Sequence, residues 1–196
     1  EIRNQFNINY SETAEKQGKN LIAYEVAKRN VYHFLSLEKE QLTQGDDVTV
    51  IALEQQLNTV IEDPRLPYPI KLAGIADRVE IRNGILRIID YKTGKVELNQ
   101  VQINAIEGIT TDLKFEKAIQ LLIYGLMYKS ETELPIQAGI YSFKNRKSGY
   151  LMFGLKVDKQ TNSDFSDEIL QAFKTELVTL LLEILNHELL FEEKFI

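Results

Sequence analysis

One stretch constrains the fold of this chain more than any other: GIADRVEIRNGILRIIDYKTGK, residues 74–95. Asn83-Gly84 sits between two runs rich in Ile, Val and Leu. Asn-Gly is the strongest short hairpin signal, because both central residues of such a turn need a positive φ. The pattern predicts strands over roughly 70–81 and 85–91. Asp77 and Asp90 lie about equidistant from the turn, so an antiparallel pair makes them near neighbours. Lys92 is two positions beyond Asp90 and shares its face of the strand. Charge is costly on a buried sheet, so this hairpin calls for a chemical explanation.

Two close carboxylates repel and need a cation between them. Oxygen ligands with open positions suit Mg²⁺ or Mn²⁺. A lysine beside such an ion can orient or deprotonate water and neutralise charge building on a phosphate. The hairpin therefore reads as a metal site for phosphodiester hydrolysis. The plainer alternative is an ion-pair network in a small protein-interaction domain, which would have no affinity for Mn²⁺.

The rest of the chain frames the hairpin. Residues 14–42 carry Leu21, Tyr24, Ala27, Val31, Phe34 and Leu35 at helical spacing. After a break at 43–47, residues 48–57 read as a strand. Residues 62–69 hold three of the four prolines and cannot be a central strand. A long loop is expected over 94–111 and a helix over 112–130. Strands follow at 136–144 and 150–157, turned by NRKSG. A long helix is expected from Ser166, its N-cap, to about Phe195. The order is mixed α/β around one sheet, and the lack of strict βαβ alternation disfavours a dinucleotide-binding fold.

Composition narrows the function. With no cysteine, disulfides, thiolate zinc sites and iron–sulfur clusters are excluded within these residues. The longest apolar run, Leu177 to Leu185, is broken by Thr179 and Glu183, so no membrane span is expected; a cytoplasmic location is compatible. A net charge of −6 makes the chain a poor general binder of polyanions, so DNA would need local basic patches or another domain. The chain starts at Glu1 rather than methionine, as expected of a processed chain or a piece of a larger protein.

Asp77 followed thirteen positions later by Asp90-Tyr91-Lys92 resembles the D-x(n)-(D/E)-x-K signature of the PD-(D/E)XK nuclease superfamily. GIADRV followed by IIDYKTG resembles the exonuclease domain of bacterial recombination helicase–nucleases, the RecB and AddB type. That branch also carries Q-x-x-x-Y on the next helix, matched here by Gln120 and Tyr124, four apart on one helix face. The resemblance covers roughly residues 20–190. It implies a single restriction-endonuclease-like α/β domain over 1–196: a mixed central sheet flanked by helices, with a long C-terminal helix, cut from a larger protein. It implies a Mg²⁺- or Mn²⁺-dependent deoxyribonuclease, an exonuclease of DNA repair and recombination, working with a helicase domain or subunit. By the same resemblance Asp77, Asp90 and the backbone carbonyl of Tyr91 hold the metal, and Lys92 acts on the attacking water. Gln120 and Tyr124 sit at the site edge, contacting DNA or holding Lys92. Arg78 is expected to pair with a neighbouring acid.

The chain departs from the branch on its first helix. Gly18 is followed by Ile22, where a G-x-x-x-H pattern would place a histidine ligand. The ligand either precedes Glu1 or is absent; His33 and Glu54 are the substitutes within the chain. Arg146 and Lys147, with Lys144 on the FKNRKSG turn, are candidates for phosphate contact or for a plain solvated turn. Lys114 and Lys117 could extend a basic edge. The missing ligand keeps a second reading open, a nuclease fold that no longer cuts and serves as a structural or DNA-binding module.

Overall fold

A computed structural model of the chain describes residues 1–10, 18–145 and 149–190. It divides into two compact units, Glu1–Asp47 and Val48–Ile196. The first unit holds α1 (Ile2–Asn9) and α2 (Gly18–Thr43). The Phe6 ring packs edge-on against Tyr24, centroids 5.5 Å apart, and Tyr24 is the one buried residue of α2. Leu21 and Leu35, expected on its apolar face, are 40% and 57% exposed.

The second unit is built on a five-stranded mixed sheet. Its strands are β1 (Val48–Ile61), β2 (Ile70–Arg82), β3 (Ile85–Lys92), β5 (Ile136–Ser142) and β6 (Tyr150–Met152), side by side in that order. The β2–β3 hairpin closes at Asn83 and Gly84, with φ of 53° and 79°. These values are why Asn-Gly is used there. Its register pairs Arg78 with Ile89 and Arg82 with Ile85. From β3 the chain crosses through α3 (Glu116–Tyr128) and returns as β5, parallel to β3. Strand β5 is buried along most of its length and β3 at Leu86 and from Ile88 to Asp90, as expected of a central parallel pair. Helix α3 buries Ala118, Leu121, Leu122 and Met127 in the same core as Ile88, Ala138 and Ile140.

Three expectations are corrected. There are two sheets rather than one: β4 (Gln102–Ile103), β7 (Gly154–Val157) and β8 (Gln160–Asn162) form a second, three-stranded sheet. The run 150–157 is accordingly split at Phe153, which is fully buried. Its amide donates to Ala138 O in the main sheet, while the next amide, of Gly154, donates to Val101 O beside the second. The loop over 94–111 is punctuated by 3₁₀ turns at Leu98–Gln100 and Ile109–Thr111 and by β4. The last helix, α4 (Asp167–Leu185), stops at Asn186 rather than near Phe195. Ser166 does cap it, its hydroxyl accepting from Ile169 N. Among the described residues no helix is long and apolar enough to cross a membrane.

The hairpin also buries a charge cluster. Glu80 is completely inaccessible and accepts from Arg82 Nε at 2.9 Å. Arg78 pairs with its second oxygen, and Arg87 Nη1 stands 3.5 Å from the first. Arg87 also lies over the Tyr150 ring, 3.9 Å from its centroid. Removing one partner of such a cluster strands buried charge. Glu80→Ala is therefore expected to destabilise the fold by about 3–5 kcal/mol, read as a fall in the urea midpoint. An unchanged midpoint would mean that the arginines are held by other groups.

Candidate active site

The hairpin register places Asp77 one step beyond the Arg78–Ile89 pair, where the recorded ladder ends. In place of the next rung, Asp77 Oδ2 accepts the amide of Tyr91 at 2.6 Å. One acid side chain thus grips the strand that carries the other. Asp90 is 3% exposed. Its Oδ1 accepts from Gln120 Nε2 at 2.9 Å and lies 3.3 Å from the Tyr124 hydroxyl. The Tyr124 hydroxyl has one proton and a closer acceptor, Ile75 O, at 2.9 Å. It also accepts from Gln120 Nε2 at 2.9 Å. Gln120 and Tyr124, one turn apart on α3, therefore tie Asp90 on β3 to the backbone of β2. Their recorded hydrogen bonds go to Asp90, to Ile75 and to each other; none goes to Lys92.

Lys92 Nζ stands 2.9 Å from Asp90 Oδ2, with its side chain 35% exposed. That approach is an ion pair, but it does not meet hydrogen-bond geometry, and Oδ2 is a buried oxygen with no directed donor. The distance establishes charge attraction; the missing alignment leaves the lone pairs of Oδ2 uncommitted. Asp77 likewise has one oxygen committed, to Tyr91 N. Each acid thus has one oxygen fixed by an internal donor, on adjacent strands, and the second oxygen of Asp90 is buried against the Lys92 ammonium. This arrangement fits a hard divalent cation, for which the Tyr91 carbonyl and water would complete the oxygen set. Among the described residues no three His, Cys, Asp or Glu side chains converge as a ligand group.

Glu54 is exposed on β1, between residues that pair with Arg78 and Ala76, hence across from Asp77. Its φ of 52° is unusual for a non-glycine residue. His33 is half-buried on α2, in the first unit. Arg146 and Lys147 lie outside the described residues. Lys114 rests near the Phe115 ring, and Lys117 pairs with Glu116 at 2.7 Å, which offsets the expected basic edge.

Two contributors escape sequence reasoning. Glu116, at the start of α3, has its carboxyl held below the ordinary range, first by hydrogen bonding to Lys117 and in smaller part by the charge of Lys92. Ser142, in register with Lys92 on the parallel neighbour β5, is 1% exposed and donates to Gly94 O at 2.8 Å. It anchors the turn that follows Lys92. A Glu-Lys dipeptide on a helix and a lone strand serine carry no signal of their own.

A family model for the PD-(D/E)XK nuclease superfamily matches residues 9–194. No curated protein and no solved structure matches the chain.

Burial, together with the charges of Asp90 and Asp77, pushes the Tyr124 phenol up to about 12, partly offset by the Gln120 hydrogen bond. A raised folded-state value means that the folded protein keeps this proton longer than the unfolded chain, whose phenol titrates near 10. The contribution to stability is whole below about pH 10 and is lost as pH rises towards 12. Absorbance titration of the folded protein should show a late phenolate step, and Tyr124→Phe should remove one tyrosine from it. A late step untouched by that substitution would place Tyr124 in water rather than in the network.

Proposed function

We propose that this chain, which belongs to the PD-(D/E)XK nuclease superfamily, hydrolyses DNA phosphodiesters at the end of the β2–β3 hairpin. The observation that carries this reading is the pair of adjacent acids, each with one oxygen fixed by an internal donor, with the Lys92 ammonium against the second oxygen of Asp90. Mg²⁺ or Mn²⁺ held there would acidify a bound water and neutralise charge on the phosphate. Asp77 and Asp90 would hold the cation together with the Tyr91 carbonyl. Lys92, close enough to a cation site to face the attacking water, orients that water and offsets charge on the phosphoryl oxygens. Gln120 and Tyr124 fix the rotamer of Asp90, so that its second oxygen keeps one direction without reorganisation during the reaction.

The finer assignment follows from motif order. Asp77, Asp90-Tyr91-Lys92 and Gln120-x-x-x-Tyr124 occur in the sequence and spacing of RecB- and AddB-type exonuclease domains. We place the chain in that branch, as a cytoplasmic exonuclease module of DNA repair or recombination that takes its strand from a helicase domain or subunit. A net charge of −6 suits a module to which DNA is delivered.

A second reading, a nuclease fold retired to a structural or DNA-binding role, is favoured by one observation: among the described residues no third ligating side chain joins the two acids. Degradation of end-labelled single-stranded DNA in Mn²⁺ separates the two. The active reading expects cleavage by the native chain and a loss on the order of 10²-fold or more in Lys92→Ala. Cleavage that survives Lys92→Ala undiminished would remove the proposed site, and no cleavage by either protein would favour the retired module.

A further inference from the structure

We propose that Lys92 is the built-in counter-cation of the metal-free site, and that a divalent cation binds by displacing its ammonium from Asp90. This rests on the reading of the site as a metal centre. The ammonium stands 2.9 Å from Asp90 Oδ2, the buried oxygen that takes no directed hydrogen bond. The other oxygen accepts from Gln120 Nε2 and lies against the Tyr124 hydroxyl. Oδ2 is the oxygen of Asp90 without a directed donor, and the ammonium already neutralises it.

The two positive groups cannot share that oxygen at close range, because like charges repel steeply where water is scarce. The displaced side chain has somewhere to go. Its aliphatic stem is anchored at the strand end and 35% of the side chain is exposed. The carboxylate of Glu116, already under the influence of the Lys92 charge, lies on the solvent side of α3, 64% exposed. Loading the site would thus turn Lys92 away from Asp90 and free it for water and phosphate. Without the cation, the same lysine is engaged with the acid and cannot serve the reaction. The device couples metal occupancy to lysine availability, and it spares the empty site two uncompensated neighbouring carboxylates.

Reciprocity gives the test. If lysine and metal compete for one oxygen, removing the ammonium must strengthen metal binding by the coupling factor. Calorimetric titration with Mn²⁺ alone, at fixed ionic strength and without DNA, should give a dissociation constant roughly tenfold lower for Lys92→Met than for the native chain. Lys92→Gln, which keeps a polar end, should also bind more tightly. A crystal structure of the native chain with Mn²⁺ supplies a readout that needs no variant. Lys92 Nζ should lie beyond hydrogen-bond reach of Asp90 Oδ2, at roughly 4 Å or more. Equal or weaker Mn²⁺ binding by both variants, or a loaded site with the ammonium still against Oδ2, overturns the displacement while leaving the metal centre intact. Absence of Mn²⁺ binding to every form overturns the metal centre itself.

Discussion

The site depends on how two carboxylates are kept side by side on neighbouring strands. Left alone they would repel. The chain handles this by committing half of each acid. Asp77 gives one oxygen to the Tyr91 amide, replacing a rung of the sheet. Asp90 gives one to Gln120, with the Tyr124 hydroxyl 3.3 Å away. Hydrogen bonds to a charged acceptor are stronger than neutral ones, so each commitment fixes a rotamer. What remains is one oxygen per acid without a directed donor, that of Asp90 lying against the Lys92 ammonium.

The architecture follows from that requirement. A hairpin alone could bring the acids together, but it could not orient Asp90. The β3–α3–β5 crossover lays α3 against the sheet, with Gln120 and Tyr124 one turn apart. The Tyr124 hydroxyl reaches back to Ile75 O, so a single side chain spans both acid-bearing strands. Gly125 permits the close approach on the other side of the helix: a methyl group there would come within 2.6 Å of the Phe165 ring. The helix that orients the acid is thus itself set by packing against the segment leading into α4.

Where local chemistry decided the outcome, the sequence was readable. Asn83-Gly84 dictated the turn, the turn dictated the register, and the register predicted the meeting of Asp77 and Asp90. Ser166 announced the start of α4, and the spacing of Gln120 and Tyr124 announced a shared helix face. Where distant partners decided, it was not readable. The target of those two side chains is Asp90, thirty and more residues away, and no spacing rule encodes it. Residues 150–157 look like one strand because periodicity cannot reveal that Phe153 is the hinge between two sheets. Glu80 looks like a solvent-facing strand residue until three arginines, one of them across the hairpin on β3, are seen around it. The second sheet is assembled from segments of two to four residues, too short to show any period.

The same electrostatics connects the site to its substrate. With Lys92 in place, the formal charge of the two acids and the lysine is a single negative charge, an unfavourable surface for a phosphodiester. A divalent cation reverses it to a single positive charge, matching the one negative charge of the linkage to be cut. On the proposed reading, loading the site would thus make it attractive to a phosphodiester in a chain of net charge −6. On that reading the net negative charge would act as a selectivity device, with contact to the strand depending on the loaded site. The buried position of Asp90 sharpens the reversal, because charge changes there are screened far less than on the open surface.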